Sequence, residues 1–162
     1  MRRDPDRGAA GKSLRLAREA ARPSLLYVED DDDNWEVAEL RIGRAYALTR
    51  AANDEQACRI LRERHASLAA ILMDIELRGS ELNGVELTEL FRGNTLAGRA
   101  LPAYARDLPT FSKPVIYVTA HGVRYTDVQL MLTGADRVVT KPVDFGTLTA
   151  VLEELTQTNS SG

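Results

Sequence analysis

The stretch Ala69-Ala70-Ile71-Leu72-Met73-Asp74 decides the fold, because a continuous apolar run ends abruptly in an acid. Such a run predicts a central strand of a parallel sheet, buried on both faces by helices. Other short apolar runs alternate along the chain with segments of helical period. This alternation is typical of a parallel sheet covered by helices. We therefore expect an α/β fold.

Five strands and five helices are predicted, followed by no further domain. The strands are expected at residues 25–28, 46–50, 69–73, 114–119 and 137–140. The helices are expected at residues 34–42, 54–64, 85–92, 123–133 and 144–156. Residues 93–113, here called the insert, break the rhythm because they hold two glycines and two prolines without a sustained period. We expect the insert either to pack on the domain's own flank or to form a surface for a partner or a second copy.

Composition indicates an ordinary globular domain, with 44% apolar and 28% charged residues in a chain of 162. No apolar run approaches the ~18 residues of a membrane span. The single cysteine, Cys58, suits a reducing compartment. A cytoplasmic protein without membrane insertion is expected.

Charge divides the chain into a basic beginning and an acidic body. Residues 1–22 carry seven basic and three acidic side chains, whereas the whole chain has a net charge of −3. We predict a flexible basic tail at 1–22, a domain at 23–156 and a disordered tail at 157–162. A basic tail could contact nucleic acid or anionic lipid, but a solubilising segment is the favoured interpretation.

Polar side chains follow the predicted strands where each strand ends. They are Glu29 and Asp30 after the first, Asp74 after the third, Thr119 after the fourth and Lys141 after the fifth. Functional groups of open parallel sheets gather at this edge. Two carboxylates about 4 Å apart repel by roughly 4 kcal/mol at an effective dielectric near 20. A hard divalent cation such as Mg²⁺ would relieve that repulsion, and the lysine adds a fixed positive charge.

The same groups suit phosphoryl transfer, in which catalysis is mostly positioning and charge neutralisation. A strand-end aspartate such as Asp74 can act as the nucleophile and form an aspartyl phosphate. Mg²⁺ and Lys141 would each neutralise one phosphoryl oxygen, and the Thr119 hydroxyl can donate to a third.

Four short motifs stand in a suggestive order. They are Val28-Glu29-Asp30, Ile71-Leu72-Met73-Asp74, Val118-Thr119-Ala120 and Thr140-Lys141-Pro142. Together they resemble the bacterial response-regulator receiver domain of two-component signalling, of the single-domain type. The resemblance covers residues 23–156. It implies a flavodoxin-like doubly wound five-stranded parallel sheet of order 2-1-3-4-5. It also implies a signalling switch that catalyses only its own phosphorylation and dephosphorylation, and not an enzyme in the usual sense.

The resemblance implies a role for each acid at the strand ends. Asp74 would be the phosphoacceptor. Asp30 would bind Mg²⁺ directly, with Mn²⁺ as a substitute, and Glu29 would act largely through water. Asp74 and the backbone carbonyl of Glu76 would complete the protein ligands of the ion. The Glu76 side chain would also help to tune the lifetime of the phosphoryl group.

The last two motifs carry the remaining implied roles. Lys141 would contact the phosphoryl group, and Pro142 would hold a cis peptide that aims this lysine. Thr119 and Ala120 would contact the phosphoryl group and begin the switch. His121, together with Glu76, would tune how long the phosphoryl group stays on Asp74.

Three departures from the family pattern stand out. Val138 occupies the place of a switch aromatic, three residues before the lysine. The family's glycine appears as Gly84, ten residues after Asp74 and not eight, and Arg78 stands where proline is common. The insert adds roughly a dozen residues. These departures leave the output mechanism open.

Partners follow from the same resemblance. A histidine kinase or phosphotransfer protein would supply the phosphoryl group. An unknown downstream protein would bind the face made by the fourth helix, fifth strand and fifth helix, and a homodimer is an open alternative. Val138 and the altered loop also suit a binding module that works without phosphorylation. A haloacid-dehalogenase-like phosphatase is more remote, because that family has its acidic metal motif after the lysine and here the acids precede Asp74.

Overall fold

The computed structural model describes residues 6–120 and 125–158, which form a five-stranded sheet with helices on both faces. The strands are β1 Ser24–Val28, β2 Ala47–Ala51, β3 Leu68–Met73, β4 Val115–Ala120 and β5 Arg137–Lys141. The helices are α1 Asp6–Ala21, α2 Asp32–Ile42, α3 Asp54–Arg64, α4 Gly84–Phe91, α5 Asp127–Leu132 and α6 Phe145–Thr158, with a 3₁₀ turn at Ala103–Ala105.

All neighbouring strands pair in parallel in the order β2-β1-β3-β4-β5. This order confirms the predicted doubly wound flavodoxin-like fold, in which β1 and β3 lie at the centre. Because the strands run the same way, every strand ends at one edge of the sheet. The chemistry-bearing residues that follow β1, β3, β4 and β5 are therefore brought to that edge.

The predicted number of five helices is wrong, since the described residues contain six. The additional helix, α1, lies in the segment that the charge pattern marks as a tail. Its sequence is rich in alanine and arginine, which favour helix without needing an apolar core face. The predicted fourth and fifth helices are α5 and α6, and α6 overlaps the predicted C-terminal tail by two residues. None of the described helices combines the length and apolarity needed to cross a membrane.

The inner strands β1, β3 and β4 are buried on both faces, as their continuous apolar runs predict, whereas the edge strands β2 and β5 are mostly half-buried. Leu26 and Ile71 face one core together with residues of α3, α4 and α5. Leu72 and Val118 face the opposite core together with residues of α2 and α6. Alternate residues of each strand thus pack against different helix layers, which fixes the strand register and the position of the strand ends.

Side-chain caps begin the helices next to the carboxyl edge. Asp31 caps α2 by accepting from the Asn34 amide. Asn83 caps α4 in a reciprocal capping box with Glu86. Asn53 caps α3 by accepting from the Gln56 amide, and Asp54 is the first residue of the helix. The Asp54 side chain is buried and bonds a distant loop.

The insert packs on the domain's own flank beside α3. Arg62 of α3 donates to the carbonyl oxygens of Tyr104, Arg106 and Asp107 at 2.9 to 3.2 Å. The apolar side chains of the insert that join the core are Leu96, Leu101, Tyr104, Ala105, Leu108 and Phe111. Of the two expectations for the insert, packing on its own domain is the one observed.

Candidate functional site

A cavity of about 230 Å³ opens at the carboxyl edge of the sheet. Its lining includes the five strand-end residues singled out by sequence, Glu29, Asp30, Asp74, Thr119 and Lys141. The other lining residues are Asp31, Asn34, Glu76, Arg78 and Ala120. The structure therefore places the five strand-end residues, Glu76 and Ala120 around one cavity, whereas Pro142 and Val138 do not line it and His121 lies outside the described residues.

Lys141 connects two of the acids across the cavity. Its Nζ donates to Glu29 Oε2 at 2.8 Å and to Asp74 Oδ2 at 2.9 Å. Burial lowers the pKa of Lys141, but its two carboxylate partners outweigh burial and hold the pKa above the ordinary value. The following peptide bond, Lys141–Pro142, is cis. The ammonium group is thus positively charged and fixed beside the predicted phosphoacceptor.

Glu29 is fully buried, and its carboxylate is surrounded by donors. Besides the Lys141 ammonium, Oε1 accepts from the Asp31 amide and Oε2 accepts from the Tyr27 hydroxyl, both at 3.1 Å. Burial and the neighbouring Glu29 charge raise the pKa of Tyr27, which keeps the phenol protonated as a donor. Sequence reasoning missed Tyr27, although a residue two before Glu29 on a strand points to the same side of the sheet.

Asp74 lies at the end of β3 with only 6% of its surface exposed. Burial raises the pKa of this carboxyl to about 7, since the lowering effect of the Lys141 hydrogen bond is opposed by the charge of Glu29. Besides Lys141, the Glu76 amide donates to Asp74 Oδ1 at 3.3 Å. The side chain is therefore poised between its protonated and ionised forms near neutral pH.

The three acids come close enough to share one cation. One carboxylate oxygen from each of Glu29, Asp30 and Asp74 lies within 4.8 Å of the others. Oxygen ligands in such a cluster match the preference of Mg²⁺, and Lys141 alone does not offset three neighbouring negative charges. The residues present thus fit a hard divalent cation. Glu76 also lines the cavity, so ligation by its carbonyl stays a prediction.

Arg78 reaches the same cluster from the loop after β3. Its Nε and its backbone N–H donate to Asp30 Oδ2 at 2.8 and 3.1 Å. Burial raises the pKa of Asp30, but the hydrogen bonds and charge of Arg78 outweigh burial and lower the pKa overall. Sequence reasoning noted Arg78 only as a departure from the family pattern. Its contact with Asp30 spans 48 residues of chain and leaves no local signal.

Thr119 and Ala120 complete the far side of the cavity at the end of β4. The Thr119 side chain is buried, and its Oγ1 has no hydrogen-bond partner among the described residues. Since a buried hydroxyl without a partner is costly, this group is available to donate to an additional ligand.

Gly84 explains how the longer loop still fits beneath the acceptor. A Cβ atom at this position would lie 2.0 Å from the carbonyl oxygen of Asp74. The Gly84 amide also donates to the Ile75 carbonyl at 2.9 Å, which closes the loop of residues 75–83. Only glycine permits this close approach, so Gly84 takes the place of the family glycine despite its different spacing.

Asp54 anchors the far end of that loop, a role that the sequence did not reveal. Its Oδ2 accepts from the amides of Glu81 and Leu82 at 3.1 and 3.0 Å and from the Tyr104 hydroxyl at 2.5 Å. The loop that carries Glu76 is thus fixed to α3 and, through Tyr104, to the insert.

Val138 is the second residue of β5 and lies opposite Tyr117 of β4. Its side chain is partly buried against the core that includes α3, α4 and α5. The position three before the lysine therefore holds a packed aliphatic residue, as the sequence indicates.

Comparison with known proteins agrees with this geometry. Residues 25–153 match the family described as the response regulator receiver domain. The chain belongs to this family. Receiver domains of two-component systems are signalling switches, and the chain carries the acidic cluster expected of one.

Two relatives show how similar the chain is to individual members of this family. An NtrX-like response regulator of Rickettsia bellii is 28% identical over 130 residues, which cover 80% of this chain and 24% of that protein. The chain spans a quarter or less of the length of the curated relatives it matches. The receiver domain of the Francisella response regulator 1452 shares the fold with a TM-score of 0.65 at 18% identity, over 85% of this chain and 98% of that one.

A third relative bears on the cavity. The receiver domain of the sensor histidine kinase PA1611 from Pseudomonas aeruginosa PAO1 is 25% identical with a TM-score of 0.64, over 85% of this chain and 99% of that one. That structure holds a magnesium ion coordinated in its active-site cleft.

Proposed function

We propose that this receiver accepts a phosphoryl group on Asp74 from a histidine kinase or phosphotransfer protein, with Mg²⁺ as cofactor. The observation that carries the proposal is the Asp74 carboxylate itself, which is hydrogen-bonded to Lys141 at 2.9 Å inside a cluster of three acids. A lysine and an acid cluster around one strand-end carboxylate suit phosphoryl transfer better than a purely structural role.

The transfer forms one bond and breaks one. A carboxylate oxygen of Asp74 attacks the phosphorus of the donor phosphohistidine, and the phosphorus–nitrogen bond breaks. The electron pair of that bond stays on the imidazole nitrogen, which solvent protonates. Lys141 neutralises charge on a phosphoryl oxygen, and the unpartnered Thr119 hydroxyl donates to another.

Glu29, Asp30, Asp74 and the Glu76 carbonyl would hold the ion, with Mn²⁺ as a substitute. When bound, the ion supplies positive charge that offsets the acids and the phosphoryl oxygens. The magnesium-bound receiver of PA1611 supports this assignment by similarity. In this chain the acids prepare the site, because they are held in place by Lys141, Tyr27 and backbone amides.

Output passes through protein contact at α5, β5 and α6, in a cytoplasmic setting, with an unidentified partner or a second copy. Apolar side chains on α5 support such a surface, since Val128 and Leu132 are 70% and 82% exposed. Thr119 begins the response and Val138 fills the place of the usual aromatic, so the signal travels without that ring. Lifetime tuning is assigned to Glu76 and His121.

A phosphorylation-independent binding module is the second candidate. Arg78 favours it, because this side chain already occupies Asp30, the acid expected to bind the ion directly. A haloacid-dehalogenase-like phosphatase is disfavoured, since Glu29 and Asp30 precede the nucleophile in the chain.

Intact-mass measurement after incubation with phosphoramidate and Mg²⁺ tests the proposal. We expect one phosphoryl adduct in the wild type that EDTA prevents and hydroxylamine removes, as for an acyl phosphate. Asp74→Asn should give no adduct, whereas the exposed neighbour variant Asp33→Asn should give the wild-type adduct.

An unmodified wild-type protein would refute phosphoryl acceptance and favour the binding module. Release of many equivalents of product from a simple aryl phosphate would instead indicate the phosphatase.

A further inference from the structure

Arg78 bridges two loops across the mouth of the acidic cavity. It comes from the loop after β3, and its partners, Asp30 and Asp31, come from the loop after β1. Its Nε lies 2.8 Å from Asp30 Oδ2, and its Nη2 lies 3.3 Å from Asp31 Oδ2. The Asp30 side chain is 9% exposed, whereas the Arg78 side chain is 78% exposed.

The contact occupies an oxygen of Asp30, the acid expected to bind the cation directly. Asp30 Oδ2 accepts two hydrogen bonds from Arg78, one from the side chain and one from the backbone N–H. A cation that takes the same oxygen must displace or weaken these two hydrogen bonds. A guanidinium and a divalent cation on the same carboxylate would also repel each other across a short distance. Binding of the one therefore opposes binding of the other.

We propose that Arg78 is a built-in competitor for the cation, so that this arginine sets the Mg²⁺ affinity of the cavity. The inference rests on the proposed function, because it takes Asp30 as a ligand of the ion. In the ion-free protein Arg78 neutralises Asp30. When the ion enters, the exposed guanidinium moves into solvent, while the backbone N–H keeps the loop in place.

The expected change in Mg²⁺ affinity can be estimated from how exposed the ion pairs of Arg78 are. An exposed ion pair changes an equilibrium by a factor of about five at most. Arg78 makes two such pairs, and one of them is with a largely buried carboxylate. Removal of the charged side chain should therefore tighten Mg²⁺ binding about three- to ten-fold, and the difference should shrink at high salt.

Titration calorimetry of the full chain with MgCl₂ at constant ionic strength measures this effect. The emission of Trp35, the single tryptophan, can be followed in parallel, because its ring lies 6.3 Å from that of Tyr27, which bonds Glu29. We expect Arg78→Gln to bind Mg²⁺ three- to ten-fold more tightly than the wild type. Arg78→Lys should bind Mg²⁺ nearly as weakly as the wild type, because it keeps the positive charge.

The matched control is Arg44→Gln, which removes the same charge from an exposed position beyond the opposite end of α2. It should leave the Mg²⁺ affinity unchanged. Equal or weaker binding by Arg78→Gln would overturn the inference and leave the cation site intact. Absence of Mg²⁺ binding in every variant would overturn both the inference and the metal site of the proposed function. Failure of the phosphoramidate test with a tighter Arg78→Gln site would remove only phosphoryl acceptance.

Discussion

Asp54 and Asp74 are both buried aspartates, 3% and 6% exposed, at the two ends of the loop of residues 75–83. The Asp54 carboxylate is surrounded by donors, namely two backbone amides and the Tyr104 hydroxyl on Oδ2 and the Glu55 amide on Oδ1. The Asp74 carboxylate has Lys141 and a long contact to the Glu76 amide, and it shares its surroundings with two further acids.

The difference shows that the surroundings of a buried aspartate decide whether it stabilises the fold or takes part in chemistry. A buried carboxylate whose acceptor sites are filled by neutral donors stabilises the fold and has little left to offer a ligand. A buried carboxylate placed beside other carboxylates is destabilised until a proton or a cation relieves the repulsion. Asp54 therefore fixes the loop, and Asp74 remains reactive.

The largest expected difference between the two aspartates is in how much their replacement by alanine changes the stability of the protein. Asp54→Ala should lower the free energy of unfolding by about 3 to 5 kcal/mol, because it leaves the buried Leu82 amide and the part-buried Glu81 amide without their acceptor and the Tyr104 hydroxyl without its partner. Asp74→Ala should change stability little or increase it when divalent ions are absent, since it relieves repulsion with Glu29. Urea denaturation in EDTA measures both values, and equal losses for the two variants would erase the distinction.

A smaller effect is expected in the pH dependence of stability. The pKa of Asp74 is about 7 in the folded protein and 3.8 as its ordinary value. Between these values the folded state binds more protons than the unfolded state, so stability should fall as pH rises from about 4 to 7 and should level off above 7. A shift of this size corresponds to at most about 4 kcal/mol over that whole range, and we expect about 2 because the titration of Asp74 is coupled to the Lys141 ammonium that bonds it.

Denaturation between pH 5 and 8 in EDTA tests the sign. Asp74→Asn should flatten the dependence, because the titrating group is gone. A wild type that gains stability as pH rises would contradict a raised pKa at this carboxyl.

The fold and the centre of the site could be predicted from sequence because both have local signals. The apolar run that ends at Asp74 indicates a buried strand, and acids after one strand meet acids after another at a common edge. Lys141 followed by Pro142 was found in the same way. These groups are adjacent in space because parallel strands must end together.

Other parts of the molecule have no such signal. Tyr104 reaches Asp54 across 50 residues, and Arg78 reaches Asp30 across 48. Neither contact repeats with the period of a helix or a strand, so no local pattern distinguishes these residues from exposed loop residues. The helix α1 was not counted among the five because its segment was assigned to the basic tail, although residues 13–21 of that segment favour a short helix.

The smallest expected loss of stability comes from removing the hydrogen bond that connects the insert to Asp54. Tyr104→Phe removes the hydroxyl that donates to Asp54 Oδ2, and should lower the free energy of unfolding by about 1 kcal/mol. The loss is smaller than that of Asp54→Ala because two backbone amides still bind the carboxylate. In the Asp54→Ala background the same change should have almost no effect, since the acceptor is absent.

The control Tyr125→Phe, in a more exposed tyrosine beyond the insert, should leave stability unchanged. Additive losses in the double variant would show that Tyr104 acts through packing of its ring and that the hydrogen bond to Asp54 contributes little.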